Sequence, residues 1–291
     1  MKLFDIYKNS TKPVISFEVF PPKGDGEEYI KKVDNLFAEL DKLKQFSPEL
    51  ISVTYGAGGS TREKTFDLVN DIKKRINVAP MAHFTCVNFD RNQILEYVKK
   101  LEANGINNIL ALRGDAPLGM EHFVAPENGF SHANELVSFI KEHTDLAIAV
   151  AGYPEKHPEA ATMEEDLLNL KNKILAGADV VYTQLFFDNN DYFHFVDKLS
   201  SMGINVPVIP GIMVLQSISQ IERIINLSGS KIPDELMTQI KRYENEPEAI
   251  KQIGIEYAIN QVKGLKNFGV KGLHFYPLNK AFAVSEVIKN S

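Results

Sequence analysis

The chain has 291 residues, 44% hydrophobic and 24% charged, enough for one large α/β domain or two small ones with a sizeable core. Its net charge of −6 argues against a general binder of nucleic acid or anionic membrane and favours small-molecule partners. Cys86 is the only cysteine, which excludes an internal disulfide and cysteine-rich metal centres; no stretch resembles a signal peptide or membrane span, so a cytoplasmic location is expected.

The first predicted strand is VISFEVF (14–20), apolar at nearly every position except Ser16 and Glu18. A carboxylate in such a strand either points to solvent or, once it leaves water, must be neutralised or paired. A helical stripe follows over 27–44, then the strand LISVTYG (50–56) and a helix over 62–76. The strand APMAHFTC (79–86) precedes a helix over 92–105, and the strand NNILALRG (107–114) leads into an irregular stretch from Ala116 to Gly129 that reads as an active-site loop. Next come the strand DLAIAVAGY (145–153), a helix over 164–177, and the strands DVVYTQLFF (179–187) and VPVIPGIM (206–213). An extra helical stretch over 233–269 elaborates the seventh unit before the last strand, VKGLHFYPL (270–278). Gly105 and Gly177 stand where helix C-terminal caps belong.

Strands apolar on both faces need cover on both faces, and strict alternation with helices requires parallel neighbours joined by right-handed crossovers. Eight such units predict a single-domain (β/α)8 TIM barrel spanning 1–291. An open doubly wound sheet is the alternative, but no G-x-G-x-x-G follows the first strand.

In a barrel the carboxyl ends of the strands converge on one mouth. Those ends carry Glu18, Thr54, Tyr55, His83, Thr85, Arg113, Asp115, Tyr153, Gln184, Asp188, His274, Tyr276 and Asn279. Each has a structural explanation taken singly, as a core hydrogen bond or an ion pair, while their shared placement points to a site. No H-E-x-x-H spacing suggests a catalytic metal, and no G-x-S-x-G elbow suggests serine hydrolysis. The glycine-rich run from Gly56 to Thr61 suits either a phosphate cradle or a tight turn.

SFEVFPPK, SVTYGAGGSTR, HFTC, LALRGDAP, YPEKHPEA with DLLNLKNK, TQLFFD, PGIM and HFYPLNK resemble, in order, the motifs of methylenetetrahydrofolate reductases, from about residue 14 to 280. The resemblance is to the short bacterial form. It implies a barrel in which NADH or NADPH reduces FAD, and reduced FAD passes hydride to 5,10-methylenetetrahydrofolate to give 5-methyltetrahydrofolate for methionine synthesis. It makes Glu18 the general acid that opens the folate's five-membered ring to an iminium ion, and a carboxyl among Phe17, Phe20 and two prolines is expected to have a raised pKa. It places Asp115 beside flavin and pterin, where a negative charge strengthens the reduced flavin as a hydride donor.

The same resemblance assigns Gln184 to folate and nicotinamide, and Lys280 to folate where the family usually has arginine; lysine keeps the charge and loses the bidentate fork. The implied FAD contacts are Thr54, His83, Arg113, Gly114, Asp115, Ala133, Tyr153, His157, Asp166, Asn169 and Lys173. Arg113, His157 and Lys173 suit a pyrophosphate, and Asp166, Asn169 and Lys173, at i, i+3 and i+7, suit one helix face. Asn172 replaces an arginine of some bacterial members. Ile218 stands where a bacterial member has a phenylalanine that packs on nicotinamide and folate; either Phe187 or Phe186 compensates or the cofactor preference differs. Family members commonly associate, so a homo-oligomer is expected. A pterin-binding transferase barrel without flavin leaves YPEKHPEA and DLLNLKNK idle, and a non-catalytic subunit sits poorly with intact Glu18, Asp115 and Gln184.

Overall fold

The computed structural model describes residues 1–55, 62–114 and 123–291. In chain order the strands are β1 (Val14–Val19), β2 (Leu50–Val53), β3 (Ala79–Thr85), β4 (Asn108–Leu112), β5 (Ala147–Gly152), β6 (Val180–Leu185), β7 (Val208–Ile212) and β8 (Gly272–Phe275). All eight pair in parallel with their sequence neighbours, and β8 returns to β1 through Phe17↔Phe275, closing a barrel. The predicted strands are all present, with trimmed ends.

Around them run α1 (Leu3–Asn9), α2 (Gly26–Lys44), α3 (Arg62–Asp71) with a π-helical continuation (Ile72–Ile76), α4 (Arg91–Ala103) and α5 (Ala133–His143). The remaining helices are α6 (Met163–Leu175), α7 (Asn189–Ser201), α8 (Ile218–Ser228), α9 (Asp234–Arg242), α10 (Pro247–Phe268) and α11 (Phe282–Asn290). Local chemistry sets several boundaries. Asp90 and Gln93 exchange hydrogen bonds as a capping box at the start of α4, and the Thr162 and Ser217 hydroxyls cap α6 and α8. The stretch 233–269 is two helices, because proline at the first position of α10 suits a new start after the turn at Tyr243.

Alternation along each strand divides the core. Ile15, Phe17 and Val19 face the helices, within the large layer between sheet and helices. Val14 faces inward, where it joins Leu50, Met81, Leu110, Ala149, Val180, Tyr182 and Ile209. That inner cluster is closed from below by Leu3, Ile6 and Tyr7 of α1. The Leu3 amide donates to Asn108 Oδ1 at 2.8 Å, and the Tyr7 and Tyr182 hydroxyls meet at 2.6 Å. Nothing in the sequence singled out α1. Seven residues are too short for a periodic signal or for stability alone, and burial of its three apolar side chains, roughly 1.5–3 kcal/mol each, holds it in place.

Candidate active site

The inward face of β1 carries Ser16 and then Glu18, two residues nearer the mouth. Across the barrel wall, Glu18 pairs in register with Ser52, and Ser16 with His274. The Glu18 side chain is 13% exposed, with Oε2 at 3.5 Å from His83 Nε2 and 3.8 Å from His274 Nε2. The carboxyl therefore stands between two imidazoles. This corrects the expected apolar setting: Phe17 points away into the helix-side layer against Phe275, and Phe20 is 38% exposed. His274 is held from behind, its Nδ1 at 2.8 Å from Ser16 Oγ and its ring edge-on to Tyr182 at 4.8 Å. Burial pulls His83 down to about 4, with Glu18 opposing the shift, so this histidine is neutral at pH 7.

Beside this chamber, α5, α6 and α8 and the ends of β3 to β6 enclose a cleft of about 500 Å³ lined by Arg113, Gly114, Ala133, Tyr153, His157, Lys173 and Gln184. The Lys173 ammonium donates to Ala151 O at 2.6 Å, and burial lowers it from 10.5 to about 8, Asp166 offsetting part of the cost. Asp166 itself is buried behind the cleft, where Oδ2 accepts the His157 backbone N–H at 3.0 Å. The His157 ring accepts from the Glu159 amide at 3.1 Å and packs edge-on to Tyr153 at 4.6 Å; burial lowers its pKa against the pull of Asp166. Arg113 forms a fork with Glu159, at 2.5 and 2.7 Å, while its Nε donates to Gly114 O at 3.1 Å. Glu159 was not foreseen in the sequence. At Gly114 φ is +87° and a Cβ would lie 2.6 Å from Val87 Cγ2, so a glycine is needed there.

Gln184 follows Val180 and Tyr182 on the inward face of β6 and lines the cleft where that strand becomes irregular. Between Tyr182 and Leu185, β6 advances three residues while β7 advances two, from Ile209 to Gly211. The additional residue is a β-bulge, a device that re-aims side chains. Its disturbed backbone groups find other partners: the Gly211 amide donates to Thr183 Oγ1 at 2.9 Å, and Tyr276 Oη donates to Thr183 O at 3.0 Å. A Cβ on Gly211 would fall 2.5 Å from Thr183 O, so the close approach requires glycine.

Other expected residues stand apart. Thr54 is half-buried at the end of β2, and His83 lies inside the barrel, neither of them lining the cleft. Asn169 and Asn172 are exposed on α6, outside the lining, so the anticipated face of Asp166, Asn169 and Lys173 is split between buried and exposed positions. Lys280 is exposed beyond β8, next to Asn279, whose side chain holds both the N–H and the C=O of Phe20, at 2.9 and 2.8 Å. Phe186 and Phe187 are 0% and 2% exposed within the core, the former stacked on Tyr192, so neither ring substitutes for the phenylalanine replaced at Ile218. Asp115, the run from Gly56 to Thr61 and most of the expected active-site loop lie outside the described residues.

A family model described as methylenetetrahydrofolate reductase matches residues 3–291. The chain belongs to the methylenetetrahydrofolate reductase family. It is 38% identical over 267 residues to the 5,10-methylenetetrahydrofolate reductase of Pectobacterium carotovorum subsp. carotovorum, covering 92% of this chain and 86% of that protein. The Escherichia coli (strain K12) protein of the same name is 37% identical over the same shares. The methylenetetrahydrofolate reductase (NADH) 1 of Arabidopsis thaliana is 38% identical, and this chain spans 49% of it. Among solved structures, a Clostridium thermocellum protein that binds two copies of 5-methyl-5,6,7,8-tetrahydrofolic acid superposes with a TM-score of 0.67 at 14% identity, covering 98% of this chain and 96% of that one. That likeness establishes a shared barrel fold. Among the described residues no helix is long and apolar enough to cross a membrane.

Proposed function

We propose that this protein is an FAD-dependent methylenetetrahydrofolate reductase acting in the cytoplasm, with NADH or NADPH as reductant. The observation that carries this reading is that the strand ends of one barrel carry both a cleft lined by Arg113, His157, Glu159 and Lys173 and a carboxyl held between two histidines. The cleft suits FAD on its own chemistry: an ammonium and an imidazole match a pyrophosphate, the Arg113 guanidinium would join them by exchanging its fork with Glu159 for phosphate, and Gly114 lets the backbone come close. Lys173 is held charged at a cost, which an anionic ligand would relieve. Arg113, Gly114, Ala133, Tyr153, His157 and Lys173 would hold the cofactor, with Asp166 bracing the His157 backbone. Bound flavin supplies the hydride relay from reduced nicotinamide to folate.

The chain's own residues then do the rest. Glu18 gives a proton to a ring nitrogen of the folate, so that the ring opens to an electrophile. Gln184, on the inward face of β6 beside the bulge, orients whichever substrate occupies the mouth, and Lys280 meets the folate at its rim. By the family resemblance, Asp115 completes the site beside flavin and pterin.

A decisive experiment is a pair of anaerobic stopped-flow half-reactions on the purified, flavin-bearing protein. NADH or NADPH should bleach the flavin, and methylenetetrahydrofolate should restore its colour with formation of methyltetrahydrofolate. Glu18→Gln is expected to abolish the second step, by about 10²-fold or more, and to leave the first nearly intact. Equal losses in both steps would make Glu18 structural. A protein that purifies without flavin and binds none would sink the cofactor assignment.

A further inference from the structure

Glu18 has neighbours that its role as acid does not by itself explain. Among the described residues the ionisable groups facing it are His83 from β3, His274 from β8 and Tyr276 just beyond it. His274 is faced in turn by Ser16 of β1, Tyr182 of β6 and Tyr276, whose ring lies 5.3 Å from it. Only one of the two histidines suits a proton store. His83 is neutral through the working range and has no hydrogen-bond partner at Nε2 among the described residues. His274 is anchored, and its anchor can work in two senses. The Ser16 hydroxyl lies 2.8 Å from His274 Nδ1 and 3.4 Å from Leu273 O. Turned toward Nδ1, the hydroxyl donates to a neutral ring carrying its proton on Nε2. Turned toward Leu273 O, it leaves its oxygen to accept from Nδ1–H, so that a doubly protonated ring is also satisfied.

We propose that His274, switched by the Ser16 hydroxyl, is the proton reservoir of Glu18: His274 holds the proton that Glu18 delivers. This inference rests on the reading of Glu18 as the acid and deepens it. In the loaded state His274 is an imidazolium and Glu18 a carboxylate. The Nε2–H bond breaks as an Oε2–H bond forms, leaving a neutral ring and a carboxylic acid. The acid's O–H bond then breaks as the substrate's N–H bond forms. The site is left with neutral His274 and ionised Glu18, one proton fewer, and water at the open mouth restores that proton after product leaves. The 3.8 Å gap between Nε2 and Oε2 closes to hydrogen-bond reach by a small rotation of the glutamate, as separated acid–base partners do when substrate binds. His274 thus acts through Glu18, as a positioning residue that also sets the proton count.

The test uses flavin-loaded wild type, Ser16→Ala, His274→Gln and Glu18→Gln. Folate reduction and flavin reduction are timed separately from pH 6 to 9, and ring nitrogens are followed by 15N NMR in histidine-labelled protein. In Ser16→Ala and His274→Gln the ratio of folate reduction to flavin reduction should drop about tenfold at pH 8. The alkaline fall of folate reduction should move down by about one pH unit or more, because a paired imidazole and carboxyl keep their shared proton to higher pH than a carboxyl alone. The His274 titration should also move when Glu18 becomes glutamine, a coupling that needs no turnover. Unchanged pH profiles in both variants, or a His274 titration indifferent to Glu18→Gln, overturn the reservoir. With Glu18→Gln still inactive toward folate, such a result leaves the acid in place; if Glu18→Gln reduces folate normally, the acid reading itself has failed. Should His274→Gln lose its flavin, Ser16→Ala and the NMR coupling decide.

Discussion

Lys173→Met separates the cost of the cofactor cleft from its use. The lysine's depression from 10.5 to about 8 corresponds to roughly 3 kcal/mol spent holding a buried cation at neutral pH in the flavin-free protein. Methionine keeps most of the stem and drops the charge, but forfeits the donor to Ala151 O, worth about 1–1.5 kcal/mol. The flavin-free variant should therefore be more stable by about 2 kcal/mol, a rise in melting temperature of about 4 °C. The sign with pH follows from linkage. Between about 8 and 10.5 the unfolded lysine keeps a proton that the folded one releases, so wild-type stability climbs with pH across that window. The variant has no such climb, and its advantage, full below pH 8, disappears near 10.5. Flavin affinity should change in the opposite direction, weakening ten- to a hundredfold with the loss of a charge-assisted phosphate contact. Thermal unfolding of flavin-free protein at pH 7 and 10, with flavin fluorescence for affinity, reads both. A destabilised variant, or one binding FAD as tightly as wild type, would refute the reasoning.

Two further changes probe the frame around the mouth. Gly254→Ala puts a Cβ of α10 well inside contact distance of the Leu215 carbonyl oxygen, a backbone atom with no rotamer to yield; a loss of about 3 kcal/mol is expected, and an unmoved urea midpoint would show that the contact is slack. Asn279→Ala removes both hydrogen bonds to Phe20 and leaves an alanine at φ +60°, costing about 2 kcal/mol in urea unfolding and raising the KM for folate; an unchanged KM would mean that this clamp does not hold the loop beyond Glu18 in its working position.

The barrel was legible because its signal is redundant: eight β-branched runs alternate with amphipathic helices, and an error in any one leaves the others standing. Ser16, Glu18 and Val14 share the inward face by simple alternation, so the pairing of Ser16 beneath Glu18 was open to inspection, and His274 was visible as a strand-end histidine. Their contact was not, since it depends on β8 closing against β1 across more than 250 residues of chain. The reading of Phe17 as a neighbour of the carboxyl failed for the same reason that the strand assignment succeeded, because consecutive side chains on a strand face opposite ways. Glu159 stayed hidden because a glutamate in a loop gives no hint of the arginine it will meet 46 residues upstream. In α6 the helical spacing of Asp166, Asn169 and Lys173 was right, but spacing alone does not tell how far around the cylinder the cleft extends.

The bulge in β6 has a bearing on design. A symmetric eightfold scaffold invites exchange of one strand for a sibling, yet β6 is out of step with its seven counterparts by a single residue. A regular replacement would leave the amide of Gln184 facing inward but turn the positions beyond it inside out, exchanging the sides on which Leu185 and Phe186 now stand. Transplanting this site onto another barrel therefore means carrying over the miscount, with Thr183, Gly211 and Tyr276 as its fittings.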